Sequence, residues 1–568
     1  MSDETVRKTN ACFILAVIAL SLCLWLPRLQ GPLDLRYDAG VYYILGTSLA
    51  AGKGYRLLNE PGEIRAVQYP PGLAVLVAGV QYVAGTSDPA VVGHWLRLMY
   101  IGMSVVFILM VYLLSVRYLP PHFAFLATLV TLFHMNTIWM SELLFSEIPY
   151  ALVSMSLLLV ATRRTPMARE WLGGILGAAG FLIRSAGIAL LAAWVAESMM
   201  KRRFRQMALR AILALLPVLA WQGYAMTVKS SDDYSQGHYE YQRAAYQFYN
   251  VSYAENVAYI DPFIPELGTV TPVLVGKRIA LNLLSMPGSL GEALSARAEW
   301  SRIQFERIDE FLPWINLPLW IVDLGLVALG CLSLTGLVLL AIRGEYLIVF
   351  YVAGSLALIS LTPWPGQFSR YLMPLAPLLS LGLFVALVTA LEKTKQNTVA
   401  SVRFGTVGMV VIVCISIFGQ EGFALWKVYS KQHQYGQTYY QDEQNVRHPY
   451  RLLFYNAEWR SHDEALAWLE KRTGPDDIVA TSTPHWFYLK SGIRSVMPPF
   501  EIDTDKAQRL LEEVPVRYLV VDSLKFVDIT RRYALPVVEA FPERWELVYS
   551  SINTGSRIFR LIESADST

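Results

Sequence analysis

The stretch PLDLRYDAGVYYILGTSLAAGKGYRLLNEPGEIRAVQYPPG, residues 32–72, lies between two apolar segments and is rich in tyrosine and glycine. It carries an acidic residue, Asp38, a short distance beyond the first apolar segment. If that segment is a membrane helix, Asp38 lies near the lipid headgroups. We therefore expect a carboxylate at the membrane surface, where an amphipathic molecule with an apolar tail would place its polar head.

The composition is that of a membrane protein. Of the 568 residues, 54% are hydrophobic, whereas soluble domains are about 45–50% apolar. The formal net charge is only +2, so nothing indicates nucleic acid as a partner. Charged residues cluster in short spacers and in two long polar regions, residues 229–313 and 429–568. The pattern predicts an α-helical polytopic membrane protein with a soluble part.

A membrane-spanning helix needs about 20 mostly apolar residues, and on that rule the chain has about eleven candidates. The first of them lacks a small-residue cleavage site, so we expect an uncleaved helix and not a signal peptide. Two of the runs are short and flank Arg184. The runs are Ala11–Pro27, Trp95–Val116, Phe123–Met140, Phe145–Ala161, Trp171–Ile183, Ser185–Met199, Ala208–Val228, Ile315–Ile342, Tyr346–Leu361, Tyr371–Leu391 and Phe404–Trp426.

The distribution of basic residues predicts the orientation, because short cytoplasmic loops carry an excess of Lys and Arg. With a cytoplasmic N-terminus and Pro71–Ala84 lying at the interface without crossing, most of the short-loop basic charge falls on one side. The cytoplasmic positions are then Arg117, Arg163–Arg169, Lys201–Arg205, Arg343 and Lys393–Arg403. The outer loops at 28–94 and 229–313 and the C-terminal region face away from the cytoplasm. We expect a multi-pass protein of the cell inner membrane with its active face outward.

The chain becomes soluble after Trp426 and alternates between helical and extended patterns, which predicts a small α/β domain. We place the domain boundary between a transmembrane catalytic domain, residues 1–428, and a soluble extracytoplasmic domain, residues 429–568. The second domain has no G-x-G-x-x-G, no P-loop and no metal-spaced Cys/His set. Its predicted elements are helices Ser461–Arg472 and Asp505–Glu513, strands Asp477–Thr481 and Arg517–Asp522, and a terminal hairpin of Trp545–Ser550 and Arg557–Leu561.

Acidic residues near the outer helix ends are the first candidates for chemistry. Asp38 could act as a general base that takes a proton from an attacking hydroxyl, or it could hold a divalent cation or a sugar hydroxyl. Asp34, four residues earlier, could share a role of this kind with Asp38 or could cap a helix. Glu147, in Ser146-Glu147-Ile148-Pro149, begins an apolar run, where the helix dipole also stabilises an acid. Glu142 is a weaker candidate of the same kind.

Two arginines are candidates for binding an anion. Arg184 lies between two apolar runs, and charged residues within spans usually face a cavity or a partner. The run before it, Trp171–Ile183, contains no acid, so an anionic ligand is a natural partner. Arg370 stands at an outer helix start, where it could also anchor to headgroups. Arginine matches phosphate with two parallel hydrogen bonds.

Several motifs, taken in order, resemble those of the GT-C glycosyltransferases, closest to the dolichyl-phosphate-mannose/aminoarabinose transferase-like families. The first is Tyr37-Asp38-Ala39-Gly40-Val41-Tyr42 after the first helix. It is followed by Ala51–Tyr55 and by Tyr-Pro-Pro-Gly at Tyr69–Gly72. Ser146–Pro149 resembles the second acidic motif of these families. Leu182–Ser185 and Arg370–Leu375 resemble further recurring stretches, so the similarity covers about Ala11–Leu391.

The resemblance implies a GT-C membrane fold and an inverting transfer of a sugar from a polyprenyl-phosphate donor to an extracytoplasmic lipid, glycan or protein acceptor. Asp38 would be the base, Glu147 would position a sugar or acceptor, and Arg184 and Arg370 would bind the lipid phosphate. No cofactor is implied with certainty beyond a possible divalent cation. The further candidates for substrate binding are Asp34, Tyr42, Tyr69, Glu142 and Tyr371.

The sequence also departs from the family pattern. Many relatives carry a second acid directly after the first, where this chain has Ala39. Aminoarabinose transferases have Lys before the two prolines, where this chain has Tyr69. These differences argue against transferring a specific sugar or metal site to this chain.

Two other classes fit parts of the pattern. A membrane transporter or flippase would show internal repeats and polar residues at the membrane midplane, and neither is evident. A non-catalytic scaffold of an envelope polysaccharide system would explain the domains without requiring the acids and arginines to converge. A glycosyltransferase accounts for more of the residues than either alternative.

Overall fold

In the computed structural model the chain is mostly helical and divides into two compact units, each built from three segments. The first unit is Met1–Gln30, Arg97–Leu219 and Val275–His433, and the second is Gly31–Leu96, Ala220–Leu274 and Gln434–Thr568. The structure describes residues 3–161, 168–311, 318–395, 400–434, 438–441, 446–450, 452–525, 528–551 and 555–562.

The helices that lie wholly or partly in the first unit mostly follow the apolar runs of the sequence. Their bounds are Asp3–Trp25, Pro89–Ser115, Pro121–Phe133, Met135–Glu142, Glu147–Ala161, Ala168–Ile183, Gly187–Met200, Phe204–Lys229, Pro272–Glu292, Ala298–Phe311, Trp320–Ile342, Tyr346–Ser360, Phe368–Tyr371, Ala376–Lys395 and Ala400–Gln434. Three short 3-10 turns, Leu26–Arg28, Pro365–Gln367 and Met373–Leu375, join or precede them.

Six helical segments of the described residues are long and apolar enough to cross a membrane, or seven if a bent pair counts as one span. The expected number of eleven is therefore not confirmed. Several of the remaining apolar helices have only 13 to 16 residues, and at 1.5 Å per residue they are shorter than a hydrocarbon core of about 30 Å. The six are Glu4–Arg28, Pro89–Ser115, Phe204–Lys229, Trp320–Ile342, Pro365–Thr394 and Ser401–Ser430.

Small residues bring helices of this unit into close contact. A methyl group on Gly336 would lie only 1.6 Å from the backbone oxygen of Gly382, so helices Trp320–Ile342 and Ala376–Lys395 pack backbone to backbone. Close packing through small residues is how membrane helices associate. The second of these helices is almost entirely buried.

One predicted helix, Phe123–Met140, is in fact two helices that meet at an angle of 52°. The break falls at His134, whose backbone is extended. The His134 ring accepts a hydrogen bond from the backbone N–H of Asn136 at 3.3 Å, and its other ring nitrogen lies 2.9 Å from the carbonyl of Glu292. These two contacts stabilise the bend at His134, where the apolar run predicts a continuous helix.

The second unit combines short helices with a sheet. Helix Asp38–Ala50 packs against helix Gly72–Ala84 and against helix Pro484–Ser491. The other helices are Asp232–Ser235, Tyr253–Val257, Ala457–Glu470, Thr504–Glu513, a π-helical turn Thr530–Ala534 and Leu535–Ala540, and a 3-10 turn covers Pro265–Leu267. A two-stranded antiparallel sheet pairs Thr438–Gln441 with Arg447–Tyr450.

The main sheet of this unit has five strands and mixed directions. Its central strand, Val516–Val521, pairs in parallel with Ile478–Ala480 and antiparallel with Arg557–Leu561, where Leu519 lies opposite Phe559. The edge-to-edge order is Ser495–Val496, Ile478–Ala480, Val516–Val521, Arg557–Leu561 and Trp545–Ser550. The buried core beside it includes Leu511, Val516 and Leu519. The predicted α/β character is confirmed, although helix Pro484–Ser491 and strand Ser495–Val496 were not predicted.

Two sequence-based expectations keep their status as predictions. The boundary between domains at residues 428 and 429 is one. The orientation is the other, and Arg163 and Arg164, on which it partly depends, lie outside the described residues.

Candidate active site

Asp38 begins a helix of the second unit, Asp38–Ala50. Its side chain is partly exposed, and its Oδ1 accepts a hydrogen bond of 2.7 Å from the hydroxyl of Tyr249. A carboxylate in the first helical turn is stabilised by the partial positive charge of the helix N-terminus. The acid is therefore both accessible and held in a defined direction, which a general base requires.

The residue before Asp38 has an unusual backbone. Tyr37 has a φ of 61° and a ψ of −139°, in a region that non-glycine residues rarely adopt and that costs about 1–3 kcal/mol. Its ring packs edge-on against Trp459, with centroids 5.3 Å apart, and burial raises the pKa of its hydroxyl. Such strain is kept only where the surroundings hold it.

Asp34 is part of a buried ion pair with Arg36. The Arg36 Nη2 donates to Asp34 Oδ2 at 2.7 Å, and its Nε donates to Oδ1 at 3.0 Å. The same guanidinium donates to the carbonyl of Leu453 at 2.8 Å and lies 4.8 Å from the centre of the Trp459 ring. Asp34 and Arg36 are 3% and 0% exposed. The geometry gives Asp34 a structural partner two residues away.

Tyrosines lie close to the Asp38 helix. The rings of Tyr42 and Tyr69 are 4.8 Å apart, and those of Tyr69 and Tyr249 are 6.3 Å apart. Tyr69 also accepts, through its backbone carbonyl, a hydrogen bond of 3.0 Å from the Tyr55 hydroxyl. The tyrosine-rich motifs that flank Asp38 in sequence therefore form one aromatic group with Tyr249.

A histidine of the C-terminal region completes this group. The His485 ring meets the Tyr249 ring edge-on, with centroids 4.8 Å apart and planes at 84°. His485 is 5% exposed, and its Nε2 has no hydrogen-bond partner among the described residues. Burial lowers the pKa of His485 to about 3, so the ring is neutral at physiological pH.

In the first unit Glu147 joins two arginines. It begins helix Glu147–Ala161 and is fully buried. Its Oε1 accepts from Arg370 Nε at 2.6 Å and lies 3.0 Å from Arg184 Nη1, which also donates to Ser146 Oγ at 2.9 Å. One carboxylate and two guanidinium groups leave this cluster with a formal charge of +1.

Aromatic rings flank both arginines of this cluster. The guanidinium of Arg370 lies 4.2 Å from the centre of the Phe145 ring, and that of Arg184 lies 5.8 Å from the Tyr371 ring. The side chains of Arg184 and Arg370 keep 15% and 17% of their surface exposed. Arg184 thus has a carboxylate partner from helix Glu147–Ala161, where the sequence predicted an anionic ligand.

Glu142 lies in a separate buried cluster of the same unit. Its two oxygens accept from Arg28 Nε at 2.5 Å and from Arg97 Nη1 at 2.6 Å. Arg97 also donates to the carbonyl of Arg28 at 3.0 Å, and Arg28 donates to the Tyr429 hydroxyl. All three charged side chains are at most 6% exposed. This arrangement joins distant parts of the unit.

The described residues contain no group of three or more His, Cys, Asp or Glu side chains that could hold a metal ion. The divalent cation considered for the acids therefore stays a prediction.

The candidates that the sequence motifs indicate fall into two sets. Glu147, Arg184, Arg370 and Tyr371 come together in the first unit, and Asp38, Tyr42 and Tyr69 in the second. Tyr249 and His485 were not predicted as site residues from the sequence. Tyr249 lies in the polar region 229–313, which was predicted only as an outer loop, and His485 has no local sequence signal.

Solved structures of similar fold include archaeal oligosaccharyltransferases and the protein ArnT. An oligosaccharyltransferase of Archaeoglobus fulgidus, tethered with an acceptor peptide, is 13% identical, with a TM-score of 0.52 over 98% of this chain and 74% of that one. The archaeal oligosaccharyltransferase AglB from Archaeoglobus fulgidus, in complex with an inhibitory peptide and a dolichol-phosphate, is 14% identical, with a TM-score of 0.50 over 98% and 74%. ArnT from Cupriavidus metallidurans in the apo state is 10% identical, with a TM-score of 0.50 over 97% and 98%.

No protein-family model matches the sequence, and no curated protein matches it in sequence. At these low identities the solved structures establish the fold. The long apolar helices and this fold together describe a multi-pass membrane protein. The chain has the GT-C fold of membrane glycosyltransferases, as its motifs implied.

Proposed function

We propose that the protein is an integral-membrane glycosyltransferase that moves a sugar from a polyprenyl-phosphate donor to an extracytoplasmic lipid, glycan or protein acceptor, with inversion at the anomeric carbon. The GT-C fold over nearly the whole chain supports this proposal most. One of the similar structures contains a dolichol-phosphate and another an acceptor peptide. Because one fold can host many functions, the proposal also needs residues with defined chemical roles.

Asp38 is the proposed catalytic base. It is accessible, it starts a helix, and the Tyr249 hydroxyl fixes one of its oxygens. In the proposed step the acceptor hydroxyl oxygen forms a bond to the anomeric carbon while Asp38 takes its proton. The bond from that carbon to the phosphate oxygen breaks, and its electron pair leaves with the polyprenyl phosphate. A positioned base of this kind contributes roughly 10²–10⁴-fold to a rate.

Arg184 and Arg370 are the proposed phosphate-binding residues. Both keep some exposed surface, and guanidinium groups stabilise the negative charge that develops on a leaving phosphate. Glu147 is buried between them, so we propose that it positions the two arginines. The net charge of +1 in this cluster favours an anionic group. Tyr42, Tyr69 and Tyr371 are the proposed contacts to the rest of the substrates.

Release of undecaprenyl phosphate tests the activity. The purified protein is incubated with a panel of undecaprenyl-phosphate sugars and an envelope extract as the source of acceptors. We expect release from one donor by the wild type and a loss of about 100-fold or more in Asp38→Asn, as expected for removal of a general base. The control is Asp476→Asn, which makes the same substitution at an exposed position of the described chain.

Two results would contradict the proposal. Equal release by wild type and Asp38→Asn would remove Asp38 from the role of base. No release from any donor in the presence of the extract would argue against the activity itself. Arg184→Ala and Arg370→Ala, assayed alongside, are expected to weaken donor binding, which native mass spectrometry of the bound lipid phosphate measures directly.

A further inference from the structure

Tyr249 connects Asp38 to the C-terminal part of the chain within the second unit. Its hydroxyl donates to Asp38 Oδ1 at 2.7 Å, and its ring meets the edge of the His485 ring at a centroid distance of 4.8 Å. Tyr249 is partly buried. A tyrosine that donates to a carboxylate has one preferred direction for its ring, and His485 packs against that ring.

His485 itself has little freedom to move. It lies near the start of helix Pro484–Ser491, and a methyl group at Gly40 would be only 3.0 Å from the His485 Cβ atom. The helix that begins with Asp38 and the helix that carries His485 therefore touch at a position where glycine leaves just enough space. The ring is neutral, so it supports Tyr249 by packing and not by charge.

The residue directly before Asp38 also contacts the C-terminal part of the chain. This residue, Tyr37, has a left-handed φ of 61° and packs edge-on against Trp459 of helix Ala457–Glu470. The Arg36 guanidinium lies over the same Trp459 ring and donates to the carbonyl of Leu453. Since a strained backbone persists only where its surroundings impose it, residues of the C-terminal part hold the turn into Asp38.

We propose that the C-terminal α/β part sets the geometry of the Asp38 carboxylate, with Tyr249 as the positioning residue and His485 as the side chain that holds Tyr249. This inference rests on the proposed function, because it takes Asp38 to be the base. It assigns to the C-terminal part a share in the catalytic step, whereas the sequence predicts only a soluble α/β domain there.

The variant Tyr249→Phe isolates the hydrogen bond, because the phenyl ring keeps its packing against His485. We expect kcat for donor consumption to fall roughly tenfold, with the donor KM changed by less than about twofold, because a displaced base slows the step without weakening binding. The thermal unfolding midpoint is expected to stay unchanged. The matched control is Tyr488→Phe, the same substitution at a partly buried position on the helix that carries His485.

A double-mutant cycle tests the part played by His485. His485→Leu keeps a side chain of similar volume but removes the aromatic edge. If His485 acts through Tyr249, His485→Leu lowers kcat severalfold in the wild type and has almost no effect in Tyr249→Phe, because interacting residues give non-additive effects. Additive losses in the double variant would overturn the role of His485.

The geometry of Asp38 can also be tested without the enzymatic reaction. The rate at which a carbodiimide modifies the Asp38 carboxylate is measured by mass spectrometry of the peptide that contains it. We expect faster coupling in Tyr249→Phe and in His485→Leu than in the wild type or Tyr488→Phe, since the carboxylate loses its fixed donor. Unchanged coupling together with unchanged kcat in Tyr249→Phe would overturn the inference. That result, combined with an inactive Asp38→Asn, would leave the proposed function standing, whereas full activity of Asp38→Asn would contradict the proposed base instead.

Discussion

Several charged side chains of this protein are buried away from water. Glu142 is the clearest case, because both of its oxygens accept hydrogen bonds from buried arginines, Arg28 and Arg97. Removing one partner of a buried ionic group leaves the others charged and desolvated, which costs about 3–5 kcal/mol. The cluster therefore works as a unit, and each member is needed for stability.

Glu142→Ala is predicted to destabilise the protein by about 3–5 kcal/mol, because Arg28 and Arg97 lose their counter-charge. The thermal unfolding midpoint in detergent measures the loss, and Glu299→Ala, at an exposed position of the described chain, is the control. We expect the donor KM of the folded fraction to remain unchanged. A raised KM with normal stability would instead support the sequence-based assignment of Glu142 to substrate binding.

At the scale of elements, contacts between helices depend on where glycine allows a close approach. In the pair Asp38–Ala50 and Gly72–Ala84, a methyl group on Gly46 would come within 2.6 Å of Val77 Cγ1, whereas one on Gly79 would meet nothing within 4 Å. Close packing therefore requires glycine at position 46 but not at position 79. Gly46 sets the distance between the helices that place Asp38.

Gly46→Ala is predicted to destabilise the protein by about 1–3 kcal/mol through overpacking. Gly79→Ala is predicted to be neutral or to stabilise by up to about 1 kcal/mol, because alanine favours the helix and no neighbour is displaced. Unfolding midpoints of the two variants, compared under one condition, test both statements. Equal effects would show that the contact with Val77 does not limit the packing.

The sequence predicts elements well where an apolar run has a single structural meaning. Tyr346–Leu361 is observed as helix Tyr346–Ser360, and the terminal hairpin is observed as predicted. The bend at His134 could not be predicted, because the run contains no Pro or Gly and the carbonyl that holds the histidine belongs to Glu292. Periodicity reports on local structure, whereas this bend depends on a contact across 158 residues.

The candidate site shows the same division. Asp38, Glu147, Arg184 and Arg370 stand in motifs that the sequence displays. Tyr249 does not, because its partner Asp38 is 211 residues away and only the fold brings them together. Predictions of which acids and arginines matter can come from sequence, but the side chains that orient them have to be read from tertiary contacts.

At the scale of the whole molecule, stability is predicted to fall as the pH is lowered below about 6.5. His485 has a folded pKa of about 3 and an unfolded pKa of about 6.5, so the unfolded chain binds more protons between these values. The stabilisation is complete above pH 6.5, and its loss reaches about 1.4 kcal/mol per pH unit in this window. Burial lowers the pKa of His462 as well, which adds to the slope.

Unfolding midpoints of the detergent-solubilised protein between pH 7.5 and 4.5 measure this dependence, and both limits are chosen to bracket the unfolded histidine pKa of about 6.5. His485→Leu is expected to reduce the dependence of the unfolding midpoint on pH. His462 is expected to account for part of the dependence that remains. His238→Asn, at an exposed position, is the control. A slope that His485→Leu does not change would mean that other groups account for the dependence.

The proposed orientation makes a separate prediction. A cysteine placed at Asp505 is expected to react with a membrane-impermeant maleimide in intact cells, and one placed at Arg203 only after permeabilisation, because short basic loops stay in the cytoplasm. Both positions are exposed, and the four native cysteines are replaced beforehand. The reverse labelling pattern would place the C-terminal part on the cytoplasmic side.

The arrangement of Glu147 between Arg184 and Arg370 also has a consequence for biosynthesis. Arg370 follows Glu147 by 223 residues, a length that a ribosome adding about 5–20 residues per second completes in roughly 10 to 45 s. Between the synthesis of Arg184 and that of Arg370, the nascent chain has only the earlier arginine of this cluster to neutralise the acid. A variant without Arg184 is therefore expected to be degraded mainly during membrane insertion. At that stage the incomplete chain carries an uncompensated acid and is exposed to quality-control proteases.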